Sequence, residues 1–302
     1  MNTLSLIAWL TLLADPLGRG DTTRVLDIAG VERDYMVHIP EKYDPARPTP
    51  VVVAFHGGGS HAGQMVYFSG LNAKSEEAGF VVVYPNGSGR LDRLLTFNGG
   101  LCCGYAVFNQ VDDVAFTRAV LDDLATVVMV DPKRVYATGM SNGAILSYRL
   151  ASELSDRIAA IASVAGTMGT LRIQAKRPVP VIHFHGTKDE FVPFTGGTGV
   201  RSITQAKFTS VQFSIDAWVR HNGCNETPKV VDLPDAADDG MTSKRTTYGS
   251  SKEGAEVVLV EISGGGHTWP GRPSRAEFLG PTTKDFQAND LIWEFFERHE
   301  LK

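Results

Sequence analysis

The chain has 302 residues, of which 43% are hydrophobic and 21% are charged. These proportions are ordinary for a soluble globular protein and allow one or two domains with a sizeable core. The net charge is −5 and the sequence has no basic run or aromatic-interleaved basic patch, so we expect neither nucleic acid nor an anionic membrane surface as a partner.

The N-terminal segment contains an apolar run over residues 4–14. This run is too short to span a bilayer and has the length of a signal-peptide core, although no lysine or arginine precedes it. A buried N-terminal helix is the alternative, but residues 15–21 have the composition of a linker. We interpret residues 1–21 as signal peptide and linker and residues 22–302 as one folded domain, which predicts a secreted or periplasmic protein without stable membrane insertion.

The first predicted elements are a hairpin and two buried strands. The hairpin covers residues 25–28 and 33–39, which are joined through Ala29 and Gly30. Residues 51–55 and 80–84 are almost wholly apolar, as is typical of strands that are buried on both faces of a parallel sheet.

The rest of the chain alternates between strand and helix patterns. Further strands are predicted over residues 134–138, 159–165, 179–184 and 257–262. Helices are predicted from Asp112 or Asp113 to about 128, and over 144–154, 211–219 and 286–299. The alternation indicates an α/β protein with a doubly wound, mainly parallel sheet. The short interval between 165 and 179 leaves no room there for a large cap domain.

One serine lies at a sharp strand-to-helix turn, in the segment Gly139-Met140-Ser141-Asn142-Gly143. Glycine on either side lets the chain reverse where a Cβ would collide with a neighbouring element. The N–H groups of the following helix point to where negative charge develops during acyl transfer. A chance match is the alternative, but the strand before and the helix after are the context that the motif requires. The motif therefore predicts an α/β-hydrolase fold with Ser141 as nucleophile.

A serine nucleophile requires a basic histidine and an acid that orients it, and in this fold the acid precedes the histidine. Asp189 follows the predicted strand 179–184 and is our candidate acid. Asp189 could instead be an ordinary surface aspartate, and Glu190 is a competing candidate for the acid. His267 follows three glycines after the last predicted strand, on a loop that can approach the serine closely, and is our candidate base.

The segment His56-Gly57-Gly58-Gly59 follows the first buried strand and matches a loop whose main-chain amides bind an oxyanion. No Gly-Lys-Ser/Thr follows it, which argues against a phosphate-binding loop. We predict the N–H groups of Gly58 and Asn142 as the two oxyanion donors. His183 and His185 alternate on a strand and could face a metal, but nothing is placed to complete a ligand set, so we predict no metal site.

Aromatic side chains are frequent on the loops at the end of the sheet where the candidate nucleophile lies. Such rings can stack on a planar acyl group or on a sugar ring. We expect several of them to line the cleft, whereas Phe108 is expected to be a core residue. The residues predicted to contact the substrate are His56, Phe97, Phe191 and Trp269.

The three cysteines are too few for a disulfide framework. We expect Cys224 to be bridged to Cys102 or Cys103, because this bridge would tie the irregular loop before Asp112 to the end of helix 211–219. A vicinal Cys102–Cys103 bridge is the less favourable alternative, because adjacent residues strain the disulfide geometry.

Seven segments in this order resemble the polyhydroxybutyrate-depolymerase-like serine esterases, which include the feruloyl and acetylxylan esterases of carbohydrate esterase family one. The segments are residues 51–59, 82–87, 102–104, 111–114, 131–144, 185–189 and 264–271. The resemblance covers nearly the whole chain after the leader and implies a secreted serine esterase without a metal or organic cofactor. Phe97 departs from the pattern, which has tryptophan there, so the shape of one pocket wall is not carried over.

We therefore predict hydrolysis of feruloyl or acetyl esters of plant cell-wall polysaccharide by a Ser-His-Asp acyl-enzyme mechanism. The expected partner is an acylated polysaccharide or oligosaccharide. A polyhydroxybutyrate or other polyester depolymerase is the alternative within the same class. A catalytically inactive binding module, with Arg19-Gly20-Asp21 as an adhesive tripeptide, is the alternative from another class, and the intact Ser, Asp and His set argues against it.

Overall fold

The computed structural model describes residues 17–249, 251, 254–273 and 276–302. The predicted signal-peptide core at 4–14 lies outside these residues. Within the described ranges, no helix is long and apolar enough to cross a membrane. Gly20 and Asp21, which we interpreted as the end of a linker, belong to the first strand.

The described residues form one mixed sheet. Its strands are β1 (Gly20–Ile28), β2 (Val31–Ile39), β3 (Thr49–Phe55), β4 (Val81–Pro85), β5 (Val130–Met140), β6 (Ala160–Val164), β7 (Val181–Gly186), β8 (Lys229–Asp232), β9 (Thr242–Tyr248) and β10 (Val257–Ser263). The order across the sheet is β1-β2-β4-β3-β5-β6-β7-β10-β9-β8. The strands from β4 to β10 in this order are parallel, and an antiparallel pair extends each edge. The predicted mainly parallel sheet is thus confirmed.

The hairpin of β1 and β2 turns at Ala29 and Gly30 as predicted, and β2 begins at Val31, two residues earlier than predicted. Ala29 and Gly30 both have positive φ, at 55° and 82°, as a type I′ turn requires. β2 pairs with β4, so the hairpin continues the sheet at one edge. At the other edge, β8 and β9 escape sequence-based prediction, because the four residues of β8 are all exposed and show no apolar alternation.

Helices cover both faces of the sheet. They are α1 (Ala62–Ser69), α2 (Leu71–Ala78), α3 (Gly104–Phe108), α4 (Asp113–Val127), α5 (Asn142–Glu153), α6 (Val211–Asn222), α7 (Ala288–Phe296) and a 3₁₀ helix (Glu277–Leu279). Buried side chains of α4, α5 and α6 share one apolar cluster, and those of α1, α2 and α7 share the other. This two-sided covering explains why the central strands are apolar throughout their length. The connection from β6 to β7 contains neither helix nor strand, and no large cap is evident in the described part of the chain.

Candidate active site

Ser141 lies between β5 and α5, at the carboxyl end of the parallel strands. Its φ of 55° and ψ of −116° lie in a region that residues with a side chain avoid. The surrounding structure holds this conformation, because its N–H donates to the Val164 carbonyl at 2.9 Å and its carbonyl accepts from the Ile145 N–H at 3.0 Å. The turn therefore presents the half-buried serine side chain at the end of the sheet.

The two glycines of the turn are required by close approach of the main chain. A Cβ on Gly139 would lie 2.5 Å from the carbonyl carbon of Gly143, and one on Gly143 would lie 2.2 Å from the carbonyl oxygen of Phe55. No neighbouring side chain can move aside to relieve these contacts, because both involve main-chain atoms. The elbow can form in this position only with glycine at both sites.

The glycine loop after β3 lies directly against the elbow. A Cβ on Gly57 would approach the Cβ of Ser141 to 3.6 Å, and one on Gly58 would approach the Cβ of Asn142 to 3.5 Å. Asn142 is the first residue of α5, so its main-chain N–H has no acceptor within the helix. The residues predicted to donate to an oxyanion thus lie together beside the serine, and their role stays a prediction.

Asp189 and His267 come from the loops that follow β7 and β10, which are neighbours in the sheet. His267 Nδ1 lies 2.7 Å from Oδ2 of Asp189, and both side chains are buried. The competing acid, Glu190, instead forms an exposed ion pair with Arg201. The structure therefore brings together the two residues predicted as acid and base.

The Asp189 carboxylate accepts several hydrogen bonds. Oδ1 accepts from the N–H groups of Phe191 and Val192, each at 2.9 Å, and His185 Nε2 lies 3.3 Å from Oδ2. Burial alone raises the pKa of Asp189, but attraction to His267 and hydrogen bonds from His185 and His267 outweigh it and hold this pKa well below its usual range. Asp189 is therefore a carboxylate at neutral pH and accepts a hydrogen bond from the Nδ1–H of His267, which leaves Nε2 without this proton.

One aromatic ring lies beside His267, and a second ring lies beyond the first. The ring of Phe191 stacks on the imidazole with centroids 4.9 Å apart, and the ring of Phe278 lies 6.1 Å from that of Phe191. Phe278 is 58% exposed and belongs to the 3₁₀ helix, which is fixed by a 2.7 Å hydrogen bond from the His267 N–H to the Leu279 carbonyl. Phe191 thus lies beside the candidate base, and its contact with the substrate stays a prediction. Phe278 was missed because its segment has no periodic pattern.

The prediction that His56 contacts the substrate is wrong. Its ring is completely buried, with Nδ1 2.8 Å from the Gly57 carbonyl and Nε2 accepting from the Gly87 N–H at 3.0 Å. Burial lowers the pKa of His56 to about 4, so the ring is neutral at physiological pH. The residue fixes the glycine loop to the segment after β4 and has no face open to a ligand.

The predictions for three aromatic residues are also wrong. Phe97 is fully buried and packs edge-to-face on Phe55 with centroids 5.3 Å apart. Trp269 is 1% exposed, and its Nε1 donates to Asn289 Oδ1 at 2.9 Å. Phe108, expected in the core, is 84% exposed. Large rings near the sheet are stabilised by complete burial, which removes Phe97 and Trp269 from the cleft wall.

The predicted bridge to Cys224 is wrong as well. The structure pairs Cys102 with Cys103 and leaves Cys224 as a buried thiol 3.5 Å from the Ala255 carbonyl. Ala255 lies just before β10, at the end of the sheet opposite to the elbow. The loop that carries Cys102 and Cys103 packs instead against Ile145 at the elbow end, so the two regions do not meet.

The fold, together with a serine on a strand-to-helix elbow, defines a serine carboxylic-ester hydrolase. The model of the dienelactone hydrolase family matches residues 36–245. This match spans more than half of the sequence, and the chain belongs to the dienelactone hydrolase family.

Relatives of this chain carry esterase names. It is 32% identical to a protein of Nocardia uniformis subsp. tsuyamanensis, named as a candidate esterase, NocK, over 91% of this chain and 82% of that one. It is 28% identical to feruloyl esterase B of Piromyces equi over 78% of this chain. The matched region spans only 42% of the length of that protein. An acetyl xylan esterase from Aspergillus awamori has the same fold, with a TM-score of 0.62, 16% identity and coverage of 91% and 99%. The predicted resemblance to feruloyl and acetylxylan esterases is confirmed, and the link to polyhydroxybutyrate depolymerases stays a prediction.

Proposed function

We propose that the protein is a secreted esterase that removes feruloyl or acetyl groups from plant cell-wall polysaccharide through Ser141, His267 and Asp189. Ser141 Oγ attacks the ester carbonyl while His267 Nε2 takes its proton. Asp189 stabilises the resulting imidazolium, and the N–H groups of Gly58 and Asn142 bind the oxyanion. The alcohol leaves with the proton from His267, and water then hydrolyses the acyl-enzyme by the same steps.

The observation that carries the chemical step is the buried 2.7 Å contact between His267 Nδ1 and Asp189 Oδ2. It leaves Nε2 directed away from the acid, as a general base requires. The Ser141 elbow and the bare glycine loop supply the nucleophile and the donors at the same end of the sheet. No group beyond these side chains and a water molecule is needed to balance the reaction.

The choice of substrate rests on the aromatic face formed by Phe191 and Phe278. One ring stacks on the candidate base and the other is exposed beyond it. A feruloyl ring or a sugar ring can stack on this face, and such contacts contribute about 0.5–1.5 kcal/mol beyond area burial. The names of the relatives support the same substrate class.

A second candidate, a polyester depolymerase, is favoured by exposed apolar side chains on α3 and on the loop at 199–203, at the same end of the sheet. Phe108 is 84% exposed, and Val200 and Ile203 are each 83% exposed. The 199–203 segment adjoins the site, because the Arg201 N–H donates to the Glu190 carbonyl at 3.0 Å. Such a rim suits contact with a water-insoluble apolar surface.

A substrate panel separates the two candidates. We expect methyl ferulate or acetylated xylo-oligosaccharide to be cleaved with a higher kcat/KM than a soluble hydroxybutyrate oligomer. Rapid clearing of polyhydroxybutyrate film without action on feruloyl or acetyl-xylan esters would establish the second candidate. Absence of turnover on every ester, including p-nitrophenyl acetate, would leave the inactive binding module.

A further inference from the structure

Three buried side chains that the mechanism does not use form a hydrogen-bonded chain behind Asp189. Tyr148 Oη lies 2.7 Å from His183 Nδ1, and His183 Nε2 lies 2.9 Å from His185 Nδ1. His185 Nε2 in turn lies 2.8 Å from the Val192 carbonyl oxygen and 3.3 Å from Asp189 Oδ2. The chain therefore links α5, through two residues of β7, to the candidate acid.

The carbonyl of Val192 fixes the direction of every hydrogen bond in this chain. A carbonyl oxygen only accepts, so His185 Nε2 carries a proton and donates to Val192 and towards Asp189. In the neutral ring, Nδ1 of His185 is then an acceptor, which requires a proton on His183 Nε2. The same reasoning makes His183 Nδ1 the acceptor for the Tyr148 hydroxyl. All donors point towards the acid.

Burial keeps Tyr148 and His183 neutral. Tyr148 and His183 are fully buried and His185 is 1% exposed. Burial, followed by the neighbouring His185, lowers the pKa of His183 well below its usual value, and burial raises the pKa of the Tyr148 hydroxyl above its usual value. Tyr148 and His183 therefore keep their proton arrangement across the physiological range, so His183 stays a ring with one donor and one acceptor.

We infer that His185 is a positioning residue for Asp189, held in a single tautomer by His183 and Tyr148. This role rests on the proposed function of Asp189 as the acid. The N–H of His185 lies between the Val192 carbonyl and Oδ2 of Asp189, while the Val192 N–H donates to Oδ1. His185 thus fixes both the turn that follows the acid and the carboxylate oxygen that holds His267.

Mutation of His185 and Asp189, singly and together, tests this inference. Turnover of p-nitrophenyl acetate by His185→Leu should fall about tenfold to a hundredfold, as expected when a hydrogen bond to a charged group is lost. The fall should be in kcat with little change in KM. His185→Gln retains an N–H at a comparable reach and should recover part of the loss. In the Asp189→Asn background, His185→Leu should change turnover less than about twofold.

Equal losses in the two backgrounds would overturn the inference, as would full activity of His185→Leu. If Asp189→Asn alone leaves turnover unchanged, the proposed acid is wrong, which is a separate outcome. The matched control is His299→Leu, because His299 is buried and bonded to the Phe295 carbonyl at the opposite end of the sheet. This control should lower the melting temperature without lowering kcat.

Two further measurements apply if His185→Leu does not fold. Tyr148→Phe keeps the ring and removes the terminal donor, so it should lower kcat several-fold in the native background and leave Asp189→Asn unaffected. Long-range ¹⁵N–¹H NMR spectra of the native protein should show His183 and His185 as neutral Nε2–H tautomers. An Nδ1–H tautomer for His185, or additive effects of Tyr148→Phe and Asp189→Asn, would overturn the inference.

Discussion

The side-chain amide of Asn142 forms two hydrogen bonds with the main chain of Phe97. The Phe97 N–H donates to Oδ1 at 2.7 Å, and Nδ2 donates to the Phe97 carbonyl at 2.8 Å. Both residues are buried. Since Asn142 directly follows Ser141, this pair of hydrogen bonds fixes the loop around Phe97 to the elbow. The position of that loop and the position of the nucleophile therefore depend on each other.

Asn142→Ala should therefore affect stability and turnover together. The buried N–H of Phe97 loses its partner, which costs about 1–3 kcal/mol, whereas the Phe97 carbonyl keeps the Cys103 N–H as a donor at 3.2 Å. We expect a lower unfolding free energy in urea and a lower kcat for p-nitrophenyl acetate. Asn142→Gln is the control, because it keeps the amide group but places it one methylene further from the main chain. An unchanged unfolding free energy for Asn142→Ala would contradict this account.

The elbow and the central sheet were predictable because their determinants are local. Apolar runs identify strands buried on both faces, and the spacing of Gly139 and Gly143 around Ser141 allows very few turns. Whether a ring faces the cleft depends instead on distant packing. Phe97 and Trp269 lie on the expected loops, but neighbours far away in sequence bury them. No local pattern carries that information.

Ser141→Ala should lose turnover by a factor on the order of 10³ or more, because only oxyanion stabilisation and binding survive without the nucleophile. Stability offers a second test. Ser141 has φ of 55°, so glycine relieves strain here that alanine retains. Ser141→Gly should be at least as stable in urea as Ser141→Ala, which reverses their usual order. Undiminished hydrolysis by Ser141→Ala, in protein free of host esterase, would disprove the mechanism.

Asp189→Asn and Glu190→Gln form a matched pair for the acid. Asp189→Asn should lower kcat by a factor on the order of 10⁴, because the amide favours the wrong tautomer of His267. Glu190→Gln removes only an exposed ion pair with Arg201 and should be mild. Steady-state rates and melting temperatures of both variants provide the check. If the two variants behave in the opposite way, Glu190 is the acid.

His56 should make the protein less stable as the pH falls. Its pKa in the folded protein is about 4, compared with about 6.5 for a histidine in an unfolded chain. Between these values only the unfolded state binds the proton, so the unfolding free energy decreases by about 1.4 kcal/mol per pH unit from this group. This contribution is fully present above pH ~6.5 and is lost as the pH falls towards ~4.

The test compares urea unfolding of the native protein and His56→Gln at several pH values in this window. Glutamine has both a donor and an acceptor for Gly57 and Gly87, but it does not titrate. The variant should therefore lose less stability on acidification than the native protein, even if it starts from a lower value. Parallel curves for the two proteins would show that His56 does not contribute to the acid sensitivity.

Phe278→Ala tests the aromatic face that supports the choice of substrate. Phe278 is 58% exposed, so its removal should hardly change the melting temperature, whereas the stacking partner beside Phe191 is lost. A contact of about 0.5–1.5 kcal/mol corresponds to a fall of about twofold to tenfold in kcat/KM for methyl ferulate. Ethyl acetate has no ring and should be hydrolysed as before. Phe108→Ala, at a ring that is 84% exposed on α3, is the matched control and should leave both substrates unaffected. Equal losses on methyl ferulate and ethyl acetate would mean that Phe278 supports the His267 loop and does not recognise an aromatic acyl group.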